Sequence, residues 1–228
     1  MPTSAAQLDH LVVMATTLDQ GVAWCEATLG VTPGPGGEHP LMGTHNRLLS
    51  IASERFLSAY LEIIAINSEA NEGQRMACRR WFDMDDEALR ARIKQGGPQL
   101  THFVIQVPNI APAVQALATQ GIDRGRATLA SRMTAGGLLQ WQISVRDDGQ
   151  RLFDGCLPTL IEWGDVHPTH SMPPSGVRLE TLHISHPDAP VLQAAFLSLG
   201  FAPTTTGVAP AGVSAILQTP LGTVHLHS

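Results

Sequence analysis

Four polar side chains of the sequence lie where chemistry could occur, because each interrupts a short stretch of apolar residues. Two are histidines in residues 8–13 and 100–105, and two are glutamates in residues 60–66 and 159–163: His10, His102, Glu62 and Glu162. Each stretch is rich in β-branched and large apolar residues, which is typical of a strand. Strand side chains alternate between faces, so these polar groups point the way their apolar neighbours point; His10, for example, shares a face with Leu8, Val12 and Met14.

Buried carboxylates at Glu62 and Glu162 need partners, since an unpaired buried charge is costly. A metal ion, an arginine or a shared proton can supply that partner. Two neutral imidazoles together with two carboxylates carry a charge that matches a divalent cation, and mixed nitrogen and oxygen ligation suits Zn, Fe, Ni, Mn or Co. We therefore expect a metal site built from His10, Glu62, His102 and Glu162.

The histidine stretches belong to an internal repeat. A third apolar stretch, residues 181–185, carries His183 at the same place. Each histidine stretch is followed by a predicted helix with an N-cap and a glycine stop, which run from Thr17 to Gly30, from Asn109 to Gly121 and from Asp188 to Gly200. Strand-like runs follow each helix. The sequence therefore predicts an α+β fold of repeated β-α-β-β-β modules, with two full copies and a shortened third.

The module boundaries follow from the same pattern. The first module covers residues 7–68, the second covers residues 99–165, and the shortened C-terminal module covers residues 176–228. Residues 69–98 are charged and helix-prone, and the Gly-Gly-Pro run at 96–98 ends them. We expect a helical insertion of two short helices there. His183 and His225 fall at the histidine and glutamate positions of the third copy, and we expect them to be remnants of the repeat or to line a pocket.

With these residues in this order, the sequence resembles the vicinal oxygen chelate superfamily, which includes glyoxalases, bleomycin-resistance proteins and extradiol dioxygenases. Its glyoxalase-like branch is most similar, on residues 8–13, 43–46 and 157–163. The resemblance covers about residues 7–165. It implies two modules paired into a curled, barrel-like sheet, with a metal ion between them.

The resemblance also implies roles for the four polar residues. His10, Glu62, His102 and Glu162 fall on the four metal positions of glyoxalase I. Extradiol dioxygenases need only His10, His102 and Glu162, which match a facial triad of two histidines and one carboxylate. A second carboxylate at Glu62 favours the glyoxalase-like set.

Further candidate residues lie in and after the run at residues 43–46. His45 is a predicted general base or substrate hydrogen-bond donor at the mouth of the pocket, because an imidazole titrates near neutral pH. The alternative is a turn in which His45 and Asn46 bond the local backbone. Asn46, Arg47 and Tyr60 complete the predicted substrate-binding set, and Glu62, Glu162 and His45 are the predicted catalytic residues.

These residues predict a divalent-metal-dependent isomerase or lyase that acts on a small α-oxygenated compound. The metal ion would polarise a carbonyl or enediolate oxygen while a carboxylate or His45 moves a proton beside it. One alternative is a metal-free protein that binds a small ligand or confers resistance by sequestering it. A further alternative is an Fe(II) extradiol-type dioxygenase.

Composition excludes several other classes of function. The 228 residues carry a net charge of −6, so no basic field attracts nucleic acid or an anionic membrane. No apolar run is long enough for a membrane span, and the N-terminus lacks a signal peptide pattern, so we expect a cytoplasmic protein. No glycine-rich phosphate cradle is present, and we expect no organic cofactor. The third module has no fourth to pair with, so we expect it either to pack against the outer face of the first pair or to meet its twin across a two-fold axis, and we favour the second, a homodimer.

Overall fold

A computed structural model describes residues 6–134 and 137–228, and each of the two predicted full modules in it runs strand, helix, then further strands. The first module contains β1 (Gln7–Met14), α1 (Leu18–Leu29), β2 (Glu38–His39), β3 (Thr44–Ser50) and β4 (Tyr60–Ile66). The helix α2 (Glu87–Gly96) follows, after a short 3-10 turn at Glu72–Gln74. The second module contains β5 (Gln99–Gln106), α3 (Ile110–Ala118), β6 (Arg126–Thr134), β7 (Gly137–Val145) and β8 (Thr159–Trp163).

Helix α1 begins and ends where the local sequence predicts, and α3 begins where predicted but ends at Ala118, before the predicted stop at Gly121. The Thr17 hydroxyl accepts a hydrogen bond from the Gln20 amide at the start of α1, and Gly30 ends that helix at φ 73°. Only glycine adopts this left-handed conformation without strain. Asn109 caps α3 through the Ala111 amide. These caps satisfy backbone groups that the helix itself leaves without partners.

The strands of these two modules form one curled sheet, called the large sheet below. Within the described residues its order is β2-β3-β4-β1-β5-β8-β7-β6. In each module the last strand lies parallel to the first, so β4 pairs with β1 and β8 pairs with β5. The antiparallel pairing of β1 with β5 joins the two modules. The α+β fold of paired modules in a curled sheet is confirmed.

The C-terminal segment pairs its strands differently. It contains β9 (Arg178–Ser185), α4 (Ala189–Leu199), β10 (Thr205–Gly207), β11 (Gly212–Thr219) and β12 (Gly222–His227). Its sheet order is β10-β9-β11-β12, so β9 lies parallel to the first strand after its helix and not to the last. His225 on β12 and His183 on β9 are therefore separated by β11, unlike the corresponding positions of the first module.

This small sheet covers the outer face of the large sheet. The Leu179 amide donates to the Ile51 carbonyl at 2.9 Å, and the rings of Phe103 and Phe201 lie 6.0 Å apart. The third module thus buries its apolar face within its own chain. The open sheet face that led us to expect a homodimer is already covered, and the homodimer stays a prediction.

Two apolar clusters lie on opposite sides of the large sheet. The outer cluster joins Leu11, Leu61 and Leu160 to α1, α3 and the small sheet. The inner cluster fills the concave face and includes side chains from the segment between the modules, among them Trp81, Phe82, Met84, Leu89 and Ile93. The segment after β4 therefore covers the concave face of the sheet. None of the helices in the described ranges has the length and apolar character to cross a membrane.

Candidate functional site

The centre of the site is a row of three charged side chains on the concave face. Asp9 Oδ1 lies 2.5 Å from His10 Nδ1, and His10 Nε2 lies 3.5 Å from Glu62 Oε2. All three side chains are buried. β4 places Glu62 on the strand beside β1, so the imidazole is held between two carboxylates.

A β-bulge makes this row possible. The register of β1 against β5 shifts between Leu8 and His10, so Asp9 is the extra residue. The bulge breaks the alternation of side chains, and Leu8 packs in the outer cluster while Val12 and Met14 lie in the inner one. The predicted common face of Leu8 and His10 is therefore wrong, because alternation assumes a regular strand.

Burial and hydrogen bonding act in opposite directions on the pKa values of these groups. Burial alone would lower the pKa of His10, but the hydrogen bonds to Asp9 and Glu62 outweigh it and raise the pKa to about 9. Burial would raise the pKa of Glu62, yet the contacts with His10, and then Asn46, lower it. Burial also opposes ionisation of Asp9, but hydrogen bonds to His10 and His167 hold its pKa far below the usual value. At neutral pH the row carries two negative charges and one positive charge.

Asn46 and His39 form one wall beside Glu62. The Asn46 amide nitrogen donates to Glu62 Oε1 at 2.6 Å and lies 3.3 Å from His39 Nε2. Its amide oxygen accepts from the Gly37 amide at 2.8 Å. Burial lowers the pKa of His39 to about 4, so this imidazole is neutral, accepts at Nε2 and donates from Nδ1 to Thr44 Oγ1 at 3.0 Å.

The opposite wall consists of rings around Asp9 and His10. The Tyr60 ring stacks on His10 with centroids 4.7 Å apart. Asp9 Oδ2 accepts from Trp163 Nε1 at 2.7 Å and lies 3.0 Å from His167 Nε2. These hydrogen bonds stabilise the negative charge of Asp9 and fix the orientation of the Asp9 carboxylate, and thereby that of His10.

His102 is buried but its ring nitrogens are already engaged. Nδ1 lies 3.0 Å from the Gly155 carbonyl oxygen, and Nε2 lies 3.0 Å from Thr159 Oγ1. Burial and the nearby cations of Arg124 and Arg151 hold its pKa well below the usual value. The neutral ring therefore donates to Gly155 and accepts from the Thr159 hydroxyl, which in turn accepts from the Arg124 guanidinium.

Glu162 does not join the other predicted ligands. Its carboxylate accepts a hydrogen bond from the Ile110 amide at 2.7 Å, at the first turn of α3 on the outer side of the sheet. The register explains this placement. Val12 pairs with Glu62 in the first module, and Val104 pairs with Thr159 in the second. Thr159 therefore occupies the position that corresponds to Glu62, and Glu162 lies three residues further along on the other face.

The residues present do not fit the predicted metal site. Glu162 is turned to the outer face, and both ring nitrogens of His102 are already engaged. Over residues 6–134 and 137–228, no group of three or more His, Cys, Asp or Glu side chains is arranged to hold a metal ion. The same displacement of Glu162 breaks the facial triad that a dioxygenase of the predicted kind needs.

His45 and Arg47 lie away from the row as well. Asn46 and Leu48 of β3 line the cavity, so the alternating His45 and Arg47 point to the other face, where Arg47 is exposed near α1. Burial lowers the pKa of His45. The structure thus brings together four of the predicted residues, His10, Glu62, Asn46 and Tyr60, and separates His45, Arg47, His102 and Glu162 from them.

A small cavity borders the row. Its free space is about 30 Å³. Trp81 and Phe82 stack with centroids 5.3 Å apart and close one side. Arg132 of β6 and Trp141 of β7 close another.

Sequence reasoning missed several residues of this site. Asp9 stands directly before His10, but a regular strand would turn it to the other face. His39 lies at the end of a glycine- and proline-rich run. Its own strand, β2, has only two residues and is too short to show a strand pattern. Arg132, Trp81 and His167 come from segments far away in sequence, and no local pattern indicated their meeting.

Comparison with known proteins agrees with this fold. The sequence matches the family described as "Glyoxalase-like domain" over residues 8–200. No protein of curated function matches it. A hypothetical protein from Staphylococcus aureus has a similar structure, with a TM-score of 0.55 and 13% identity, over 97% of this chain and 85% of that one. Methylmalonyl-CoA epimerase from Streptomyces coelicolor, bound to 2-nitronate-propionyl-CoA, gives a TM-score of 0.44 and 15% identity over 72% of this chain and 99% of its own.

Proposed function

Because the chain belongs to the glyoxalase-like domain family, we propose that it is a small-molecule enzyme that moves a proton at a carbon next to an oxygenated carbon. The observation that carries this proposal is the buried row Asp9, His10 and Glu62 beside a cavity. Isomerisation of an α-oxygenated carbonyl compound is the reaction that these groups suit best.

Glu62 is the proposed base. One carboxylate oxygen is fixed by Asn46, and the other faces His10 across 3.5 Å. It removes a proton from the carbon, and the electron pair of the broken C–H bond moves onto the neighbouring carbonyl oxygen. The pKa of Glu62 is low in the free protein, but the exclusion of water and the approach of a negative substrate both raise a carboxylate pKa, so the bound state makes it a stronger base.

His10 is the proposed acid. Its Nδ1 is held by Asp9, so its Nε2 proton is the one that faces the cavity. This proton stabilises the negative charge that develops on the substrate oxygen, as a positioned donor does in other enolising sites. The proton of the neighbouring substrate hydroxyl then passes to this oxygen, and return of the carbon-bound proton from Glu62 to the former carbonyl carbon completes an isomerisation with no net gain or loss of protons. No step uses a metal ion, since the four predicted ligands do not converge.

The test is the exchange of carbon-bound protons in D₂O, followed by proton NMR. Hydroxyacetone, lactaldehyde and a set of 2-oxo acids are incubated with the protein after treatment with EDTA. We expect exchange above the buffer rate for at least one compound, and a loss of about a hundredfold or more in Glu62→Gln, the range typical of a general base. If no compound exchanges faster than in buffer, or if Glu62→Gln exchanges like the unaltered protein, the proposal is wrong.

A binding protein without catalysis is the second candidate. Aromatic rings line the cavity, which suits sequestration of a small apolar ligand. A compound that binds at this cavity but shows no exchange favours this candidate. The cytoplasmic location and the homodimer of the 24.4 kDa chain stay predictions, and sedimentation velocity at micromolar concentration tests the second.

A further inference from the structure

The proposed proton transfer leaves one charged group of the cavity unused. Arg132 lies on β6, and its guanidinium lines the same cavity as His10 and Glu62. Its Nε and Nη1 atoms are buried and have no hydrogen-bond partner among residues 6–134 and 137–228. The buried indole nitrogen of Trp81, which lines the same cavity, also lacks an acceptor in those ranges. Buried donors of this kind are normally satisfied, so these point to an acceptor that a ligand brings.

The charges around the cavity indicate that this acceptor is negative. Glu62 already receives hydrogen bonds from Asn46 and faces His10, and Asp9 is shared by His10, Trp163 and His167. The row has one excess negative charge, which is held by these donors. Arg132, by contrast, has no carboxylate within salt-bridge distance in the described part of the chain.

We propose that Arg132 receives a carboxylate of the ligand, so that the substrate class of this site is a small carboxylic acid. This inference rests on the proposed function only in treating the ligand as a substrate. A guanidinium presents parallel N–H groups that match the two oxygens of a planar carboxylate.

Gly37 positions the guanidinium, and a second cavity extends the site. Gly37 packs against it so closely that a Cβ at this position would lie 2.3 Å from Nη1. On the other side of His39 and Trp81, a second cavity of about 40 Å³ is lined by apolar side chains, including Met42, Ala130 and Trp141. A carboxylate at Arg132 therefore places an apolar substituent toward these residues.

The test measures binding of simple carboxylates and their neutral isosteres. Acetate, acetamide, benzoate, benzamide and inorganic phosphate are titrated into the whole protein, and binding is followed by NMR of backbone amides and the Arg Nε–H groups. We expect each carboxylate to bind at least about tenfold more tightly than its amide, since only the carboxylate pairs with the cation. Benzoate should bind more tightly than acetate if its ring occupies the second cavity.

Three variants make the assignment specific. Arg132→Gln should remove the preference for carboxylate over amide. Gly37→Ala keeps the charge but displaces the end of the flexible Arg132 side chain, and should weaken carboxylate binding without loss of the fold. Arg126→Gln is the matched control, because Arg126 lies on the same strand but is exposed and paired with Asp147 at 3.2 Å; it should bind carboxylates like the unaltered protein.

The outcomes separate this inference from the proposed function. Equal binding of acid and amide, or a preference that survives in Arg132→Gln, overturns the inference. Arg132-dependent binding of phosphate without binding of carboxylates overturns the assignment of the ligand class. Carboxylate binding through Arg132 with no proton exchange on any compound supports this inference and refutes the proposed catalysis. Proton exchange that persists in Arg132→Gln supports the proposed catalysis and refutes this inference.

Discussion

Replacement of Glu162 separates a structural role from a catalytic one. Its carboxylate lies at the positive end of the α3 dipole and accepts from the Ile110 amide. Glu162→Gln keeps an acceptor oxygen and loses only the charge, which is worth about 0.3–1 kcal/mol at a helix N-terminus. Glu162→Ala also loses the hydrogen bond of a charged acceptor, for a total of about 2 kcal/mol. For a chain of this length each kcal/mol lowers Tm by roughly 2–4 °C.

We therefore expect Tm to fall by roughly 1–4 °C in Glu162→Gln and by roughly 4–8 °C in Glu162→Ala. Proton exchange and carboxylate binding are measured well below either Tm. Both should stay within about twofold of the values for the unaltered protein, since changes on the outer face of the sheet leave the distant site intact. Glu62→Gln is the contrasting variant: it should lose proton exchange although Glu162 is unchanged. Suppose instead that Glu162→Gln abolishes exchange as strongly as Glu62→Gln while Tm is unchanged. Glu162 would then belong to the reactive site, and its placement on the outer face would be refuted.

The remaining predictions concern pH and packing. Burial lowers the pKa of His39 from 6.5 to about 4, so between these values the unfolded chain binds more protons, and the stability that the neutral ring provides is lost as pH falls. From pH 7 to pH 5 the free energy of unfolding should fall by about 2 kcal/mol through this group. Urea unfolding should show that His39→Gln loses less stability than the unaltered protein over that range. An equal loss in the two proteins would contradict a neutral, buried His39 ring. Gly21 of α1 faces β4, where a Cβ would lie 2.3 Å from Ile63 Cγ2, so Gly21→Ala should cost about 1–3 kcal/mol through overpacking. Gly96→Ala is its control, because open space surrounds Gly96 at the end of α2 and alanine is the better helix former; a similar Tm for the two variants would show that α1 does not pack as closely as described.

Local sequence patterns predict most of the fold. The caps at Thr17 and Asn109 and the stop at Gly30 act through bonds within a few residues, so they are readable without the rest of the chain. The repeat of histidine strand, helix and further strands predicts the paired modules in the same way. The same repeat does not predict the strand order of the C-terminal segment, where the short β10 pairs with β9. Strand pairing depends on contacts between segments that no local pattern specifies.

Local sequence pattern also predicts one half of the site. His10 and Glu62 lie on neighbouring parallel strands of one module. Because the module is short, these two strands can pair in few registers, and the two side chains lie close together as expected. Asn46 joins them from β3, whose hairpin pairing with β4 is equally local. The alternation of β3 also excludes His45 from the side on which Asn46 lies, and this could have been deduced from the sequence.

The other half of the site depends on contacts between segments that are distant in the sequence. A single bulge turns Asp9 toward His10, and a register offset puts Thr159 where a carboxylate was expected and sends Glu162 to the outer face. Arg132 and Trp81 reach the cavity from a distant hairpin and from the segment between the modules. The physical reason is the two-residue period of a strand: a shift of one residue moves a side chain to the opposite face of the sheet, and the shift is set by long-range pairing and packing.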